Sequence, residues 1–598
     1  MEYHEISLKM PTDYSDSQLR EGILKEMKRG NPELVKLSEL QELSELPALS
    51  ELSRLSELSG ANRKKIEFKI LHKSLDARKK SDIHWLIRVG VLADNQYQQS
   101  ICCTPHLKPL LDIPYRKREQ KILVVGSGPA GFFAAYVLQK AGFNTTIIER
   151  GSDVKKREAS IKEFESTGRF NPVTNYAFGE GGAGTFSDGK LTSRSKHISK
   201  EKDFVLSSYV KAGAPQEILY MAHPHLGSDN LKQIVKNLRK SFINIGGLIL
   251  FETMLKDLKI KNGKVIGAQV SSAKSNCSNS THSDDSYESS VCQIEDYNEI
   301  EADEVIIASG HSAYETYRML ISKGVLFKTK NFAIGCRVEH PQELINIAQW
   351  GKKSIAGVKA AEYRLTSRGD GHLPVYTFCM CPGGIIVPST AYENANIVNG
   401  MSRYQRNEKF ANAACVAAVN PDSLISESGS AGEGRGAEDV LDWLESIEHD
   451  FYGYSGGYAA PFCTIQDFID KKLRENRVQR SNAGCDLNSC RSGNSTESSY
   501  PLGLKSAPLW ELLPAEISSS IGEGLKNFSR KIRGFETGLI MGLESKTSSP
   551  VSVVREKSCC CIGFDNLYMS GEGSGHSGGI ISSASDGIRA ALSIINKY

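Results

Sequence analysis

Residues Lys121–Arg150, KILVVGSGPAGFFAAYVLQKAGFNTTIIER, constrain the fold more than any other stretch of this 598-residue chain. Lys121–Val125 is a short β-branched run of the kind that forms a buried parallel strand. Gly126-Ser-Gly128-Pro129-Ala130-Gly131 follows at once and passes into a helical pattern with apolar residues at Phe132, Ala135, Tyr136 and Leu138. A second strand, residues 145–148, ends in Glu149 and Arg150. Strand, glycine turn, helix, strand and acid together make a βαβ dinucleotide half-site. Gly126 permits the tight turn, Gly128 lets the backbone approach a pyrophosphate, and Gly131 lets the helix pack closely on the strand. The helix N-terminus offers unpaired N–H groups and a positive dipole end to that pyrophosphate. Glu149 stands eighteen residues beyond Gly131, near the ~20 at which a carboxylate takes a ribose hydroxyl. A glycine-rich turn in some other α/β unit does not account for that acid.

Bulk properties narrow the partners. With 40% hydrophobic and 24% charged residues and a net charge of +3, the composition gives no reason to expect a nucleic-acid or membrane partner. No apolar run approaches the ~20 residues needed to span a bilayer. The N-terminus carries early acids and no apolar core, so it does not read as a secretory signal. Fourteen cysteines without a Cys-x-x-Cys predict free thiols in a reducing compartment, the cytoplasm, and no metal site. The basic cluster Lys155-Lys156-Arg157, followed by Glu158, reads as a solvated helix face.

Residues 1–115 read as a small α/β domain, with a polar helical segment over 10–36 and strand-like runs at 65–71 and 83–91. Between them, residues 37–60 repeat leucine at every third position from Leu37 to Leu58. Three residues advance a helix by ~300°, so the stripe winds around it rather than forming a coiled-coil seam. The segment reads as a low-complexity insert, with a leucine-rich partner helix as the alternative. Residues 272–298, 423–437 and 480–499 are further inserts rich in Ser, Asn, Gly and acids. They contain Cys277, Cys292, Cys485 and Cys490, to which no chemistry is assigned; the triple Cys559–Cys561 is likewise given no role.

Two more glycine clusters follow the βαβ unit. Phe178–Lys190, FGEGGAGTFSDGK, combines Gly181, Gly182 and Gly184 with Thr185, Phe186, Ser187, Asp188 and Lys190, a density of backbone donors and polar groups suited to wrapping a large cofactor. Leu567–Ile580 again reads strand, glycine turn, helix start, through Gly571, Glu572, Gly578, Gly579 and Ile580. In flavoproteins with two dinucleotide-binding domains, a late strand ends in Gly-Asp or Gly-Glu whose acid takes a ribityl hydroxyl of FAD, and Gly571-Glu572 stands in that place. ADEVIIASG, ending at Gly310, resembles the strand that closes such FAD domains, with Ser309 in place of threonine.

These stretches, with SLDARKK (74–80), PHLGSDNL (224–231), GHSAYETYRML (310–320), FAIGCRVEHPQELI (332–345), AAEYRLT (360–366), YTFCMCPGG (376–384) and VNGMS (398–402), resemble the family of FAD-dependent dehydrogenases, NAD(P)/FAD-dependent oxidoreductases of the glutathione-reductase-like FAD class. The likeness runs from about residue 66 to the C-terminus, inserts excepted. Two departures stand out: His576 where the family has a tyrosine or another residue, and Lys546 where arginine is usual. The resemblance implies an α/β protein with a split Rossmann-like FAD-binding domain (119–330 and 545–598). It also implies an inserted substrate or cap domain (331–544) and a small N-terminal α/β domain (1–115).

FAD carries the redox chemistry in such proteins, so the open question is which residues face the substrate. His311 follows the Gly310 turn and is either a site residue or a buried structural histidine. Arg337, Glu339 and His340 form R-x-E-H. Strand alternation puts Arg337 and Glu339 on one face, as an ion pair or an anion site, and His340 on the other. Cys379 and Cys381 share a strand face and are either packing groups or a redox-active element. The expected reaction is hydride transfer between a small organic substrate and flavin N5. NAD(P)H is at most a transient reductant, since only one full glycine–acid unit is present. The alternatives are an NAD(P)H-dependent flavin monooxygenase and a flavin-dependent RNA-modifying or structural FAD-binding protein. The oligomeric state is not encoded in any of these features.

Overall fold

The computed structural model describes residues 3–30, 43–45, 66–92, 111–193, 195–272, 299–427, 436–474 and 497–598. Most of the leucine repeat 37–60 and of the three polar inserts, with their cysteines, lies outside the described residues.

A five-stranded parallel sheet forms the nucleotide half, in the order Leu567–Met569, Glu304–Ile307, Lys121–Val125, Asn144–Ile148 and Leu248–Leu250. The β-branched run fills its centre because such strands are covered on both faces. Ile122, Leu123, Val124 and Ile147 are 2% exposed or less, and each buried aliphatic side chain contributes roughly 1.5–3 kcal/mol. Helix Pro129–Lys140 covers one face with Phe133, Ala134, Val137 and Leu138. The C-terminal helix Ile580–Lys597 packs beside it at a crossing so close that a Cβ on Gly587 would lie 2.0 Å from the Ala130 carbonyl. Thr253–Lys261, Lys264–Ser272 and Glu299–Glu301 make an antiparallel three-stranded sheet on the other side.

The second half is an eight-stranded sheet among the described residues, with Phe332–Pro341 at its centre between Phe410–Val419 and Leu539–Glu544. These central strands are buried almost end to end. Strand Val375–Pro388 joins next to Phe410–Val419, with register shifts between Phe378 and Cys381 and between Cys381 and Gly384.

At the N-terminus, His84–Leu92 pairs with Ile66–Asp76 and with Tyr3–Met10, and Leu43–Glu45 runs parallel to Ile66–Asp76 at the edge. Strand Tyr3–Met10 is not among the expected elements, although Ile6, Leu8 and Met10 alternate inward as a half-buried strand requires. Helix Asp16–Gly30 lays Leu19, Ile23 and Met27 on this sheet. The backbone of Lys73 joins the nucleotide half through Tyr220 and Ala222.

Candidate functional site

One cavity lies where the nucleotide sheet meets the large sheet, and its lining runs from Gly126 and Gly128 at one end to Cys379, Asn399 and Lys546 at the other. At the first end, Gly126 takes φ +101°, and a Cβ there would sit 2.4 Å from the Ala308 carbonyl. Gly131 has no room either: a Cβ would lie 1.9 Å from the Gly126 carbonyl, so this glycine serves packing and does not line the cavity. Gly128 is different. A Cβ there would meet only the Gly182 Cα, at 3.7 Å, and otherwise point into open space.

Two helices begin at this cavity without a capping side chain, one at Pro129 after Gly128 and one at Ile580 after Gly579, which has φ +90°. Their first N–H groups are therefore available to anionic oxygen. Pro129, Ala130, Gly182, Gly184, Ser187, Asp188, Lys190, Gly310, Gly571, Glu572, Gly579 and Ile580 line the cavity. Gly181, Thr185, Phe186 and Gly578 do not: Thr185 Oγ1 donates to the Glu180 carbonyl at 3.2 Å, and Phe186 lies under the Arg157 guanidinium.

Glu149 lines the cavity, yet its carboxylate is already engaged by the chain. Oε2 accepts from Ser127 N–H (2.9 Å) and Ser127 Oγ–H (2.8 Å), and Oε1 accepts from Gly151 N–H (2.9 Å) and Gly179 N–H (3.1 Å). It thus ties together the glycine turn, the end of its own strand and the Phe178–Lys190 loop, a role that a ribose contact alone does not describe. Arg150 pairs with Glu315 at 2.6 Å and stacks on Phe178.

Arg157 corrects the sequence reading. Lys155 and Lys156 are exposed, but Arg157 is fully buried, because Val154, Arg157, Ile161 and Phe164 share the inner stripe of helix Val154–Thr167. That helical spacing was the available signal. Its guanidinium donates to the carbonyls of Asn175, Tyr176, Gly179, Glu180 and Gly182 at 2.8–3.1 Å and so folds the glycine loop. Burial pulls its pKa down to about 10, against the opposing pull of Glu149 and Glu180.

The loop then delivers Asp188 and Lys190. Asp188 pairs with Lys190 at 2.7 Å and with Arg406 at 2.7 Å, and accepts from Ser402 Oγ. Burial would push this carboxyl up, but Lys190 and Arg406 hold it well below the usual carboxylate range. Lys190 also donates to the Met380 carbonyl, which brings it against Cys379 and Cys381.

Arg337 and Glu339 do not line the cavity, and the expected ion pair between them does not form. Strand alternation holds through His340, but Arg337 pairs with Glu544 at 2.7 Å, both fully buried, while Glu339 accepts from the Ser499 N–H and hydroxyl. Arg337 further donates to Asn412 (2.8 Å), Asn399 (3.2 Å) and the Cys379 carbonyl (2.7 Å), so it props the cavity floor from beneath. Burial drives Glu544 up to about 7 despite Arg337. His340 Nε2–H donates to the Phe535 carbonyl, 2.8 Å away.

His311 does line the cavity. Its Nδ1 lies 3.3 Å from Glu572 Oε2, and its buried Nε2 has no partner. Lys546 also reaches the lining and pairs with Glu448 at 2.8 Å beside Tyr314. His576 instead bonds the Val553 carbonyl, away from the lining. Among the described residues, no cluster of ligating side chains suits a metal, and no helix is long and apolar enough to cross a membrane.

Residues 331–547 match the family model of the FAD-dependent protein C-terminal domain, and 124–166 match an NAD(P)-binding Rossmann-like domain. The chain is 36% identical over 544 residues to an uncharacterised protein of Clostridium beijerinckii, covering 88% of this chain and 92% of that one. Among solved structures, it is similar to a geranylgeranyl bacteriochlorophyll reductase-like protein from Thermoplasma acidophilum (14% identity, 81% and 79% of the two chains, TM-score 0.33). It is also similar to CtdE, crystallised with FAD (9% identity, 80% and 84%, TM-score 0.31). The uncapped helix starts and the open face of Gly128 suit a dinucleotide, and the cofactor is FAD. The chain belongs to the family of FAD-dependent proteins that join a Rossmann-like nucleotide domain to this C-terminal domain.

Proposed function

We propose that the protein is a FAD-dependent dehydrogenase acting on a small organic molecule. One observation carries the reading: a single cavity joins the dinucleotide cradle of Gly126, Gly128 and Gly571-Glu572 to polar groups of the large sheet, namely Cys379, Asn399 and Lys546. Bound FAD supplies a two-electron acceptor for hydride. The chain supplies the rest. Gly128, Gly182 and the helix start at Pro129 hold the pyrophosphate, and Glu572 takes a ribityl hydroxyl while fixing the His311 ring through Nδ1. That contact leaves His311 Nε2 without a partner in the chain, as the atom to accept or return the proton of a substrate brought within the hydrogen-bond reach that general acid–base catalysis requires. The large sheet supplies the cavity wall that faces the dinucleotide cradle.

A visible spectrum of the purified protein, followed by anaerobic titration with NADH and with NADPH, tests this. Flavin bleached slowly by its own organic substrate and untouched by both nicotinamides supports the dehydrogenase. Rapid NAD(P)H-dependent oxygen consumption supports the monooxygenase alternative. Protein that stays colourless after reconstitution with FAD overturns the cofactor assignment in this cavity.

A further inference from the structure

The large sheet contributes something to the cavity that the proposed reaction does not use. Cys379 is half-buried and lines the cavity, while Cys381, two residues on, is fully buried. In a regular strand their Cα atoms would lie roughly 6.6 Å apart, close to the longest span a disulfide tolerates. The strand is not regular here. Cys379 adopts φ +43°, in the left-handed region, and the pairing with Phe410–Val419 slips between Phe378 and Cys381. The residue therefore carries backbone strain at a bulge, and both features concentrate where a strand must re-aim a functional side chain.

At the bulge the Cys381 thiol turns back on the preceding turn of chain and donates to the Cys379 carbonyl at 3.4 Å. Lys190 and Arg337 are the cations nearest the pair; Arg337 Nη2 lies 3.6 Å from Cys381 Sγ and also holds the Cys379 carbonyl. Asp188 and Glu544 are the facing carboxylates, each already paired, with Lys190 and Arg337 respectively. The neighbouring Cys381 side chain first, and Lys190 and Arg337 after it, outweigh burial and hold the Cys379 thiol below its ordinary value. Another group marks the same cavity as a place that receives a ligand: His311, a residue 8% exposed, has no partner for its Nε2 within the chain.

We propose that Cys379 and Cys381 are a redox-active thiol pair that exchanges two electrons with FAD in this cavity. This rests on the reading of the cavity as the flavin site. The step balances. Cys379 thiolate and Cys381 thiol form an S–S bond, losing two electrons and the Cys381 proton, and oxidised FAD takes up both electrons and that proton. In the reverse sense the reduced flavin opens the disulfide. Cys379, the half-buried and more acidic member, is the sulfur that meets an outside thiol or disulfide of small size, and Cys381 resolves the mixed disulfide.

The holoprotein, air-oxidised and then titrated anaerobically with dithionite, tests the pair without a substrate. Wild type takes up four electrons per FAD. Cys379→Ser takes up two, with its flavin spectrum retained. Trypsin releases residues 369–403, which contain these two cysteines and no other; before titration this peptide is two hydrogens lighter than after it. Uptake of only two electrons by the wild type, with the peptide never in the lighter form, overturns the thiol pair while leaving the flavin site standing. Protein that binds no FAD overturns the flavin site instead, and the peptide masses still decide whether the cysteines join. Should Cys379→Ser fail to fold, the wild-type electron count and peptide masses remain decisive.

Discussion

The two walls of the cavity are made by different means. On the nucleotide side, contiguous segments present backbone: glycines that leave room, helix starts that leave N–H groups free, and one carboxylate, Glu149, that gathers three loops. On the large-sheet side, the wall rests on charged side chains buried in pairs, Arg337 with Glu544 behind the lining and Lys546, which reaches it, with Glu448. Backbone cradles tolerate an empty site, since water can replace the ligand at each N–H. Buried charges tolerate no missing partner, because the survivor keeps its full desolvation cost. The first wall should therefore lose cofactor before it loses its fold, and the second should lose its fold first.

Arg337→Met tests the second half of that statement with the largest effect. It strands Glu544 in a fully buried position and should destabilise by about 3–5 kcal/mol, read as a lower denaturation midpoint. The fraction that remains folded should still carry FAD. Arg337→Met combined with Glu544→Gln should recover most of the loss, and a double variant no better than the single one would mean that the hydrogen bonds to Asn399, Asn412 and Cys379 dominate instead.

His340 gives the same wall an acid sensitivity. Burial drives its pKa down to about 4 from 6.5, and its Nδ1 has no partner to receive a proton. Below pH 6.5 the unfolded chain takes up a proton that the folded chain refuses, so stability falls as pH drops from 6.5 towards 4, by about 3 kcal/mol in all. Glu544, raised to about 7, works in the opposite sense between 7 and 4.5. Comparing wild type with His340→Gln cancels that contribution: the difference in stability should shrink as pH falls through the window. A difference that stays constant would show His340 protonated without penalty.

The same division explains what the sequence disclosed. The parallel sheet and the cofactor segments were legible because strand, glycine and helix signals lie within a few residues of one another. Arg157 was legible in principle, from the stripe it shares with Val154, Ile161 and Phe164, but a run of three basic residues masks it. Arg337 offered no local signal for its partner, since Glu544 is 207 positions away; the nearer acid, Glu339, was the wrong one. Pairings of that kind are set by sheet order, which alternation along one strand does not encode. The bulge at Cys379 was hidden for a related reason: a Cys-x-Cys pattern announces shared facing only while the strand is regular.

Gly128→Val addresses the nucleotide wall. Its Cβ meets only Gly182 Cα at 3.7 Å, so the apoprotein should fold with an unchanged midpoint. On the proposed placement of FAD, the valine occupies the approach to the pyrophosphate. Losing charge-assisted contacts there, about 1.5–3 kcal/mol, weakens FAD binding by about 10–150-fold, measured as flavin retained through gel filtration. Gly131→Val is the control that should not fold, because its side chain would enter the Gly126 carbonyl.

Glu149→Ala separates the two kinds of wall most finely. Were the carboxylate only a ribose ligand, its loss would loosen FAD and leave the apoprotein untouched. The structure gives it four donors from the chain itself, three of them buried backbone N–H groups at Ser127, Gly151 and Gly179. Alanine leaves all three unpaired, and unsatisfied buried donors cost about 1–3 kcal/mol, lessened here to the extent that water reaches them through the empty cavity. The apoprotein midpoint should therefore fall, in contrast to Gly128→Val, while FAD binding weakens less than in that variant. An apoprotein with the wild-type midpoint and a flavin lost as readily as in Gly128→Val would reassign Glu149 to the ligand alone, and the nucleotide wall would then be backbone throughout.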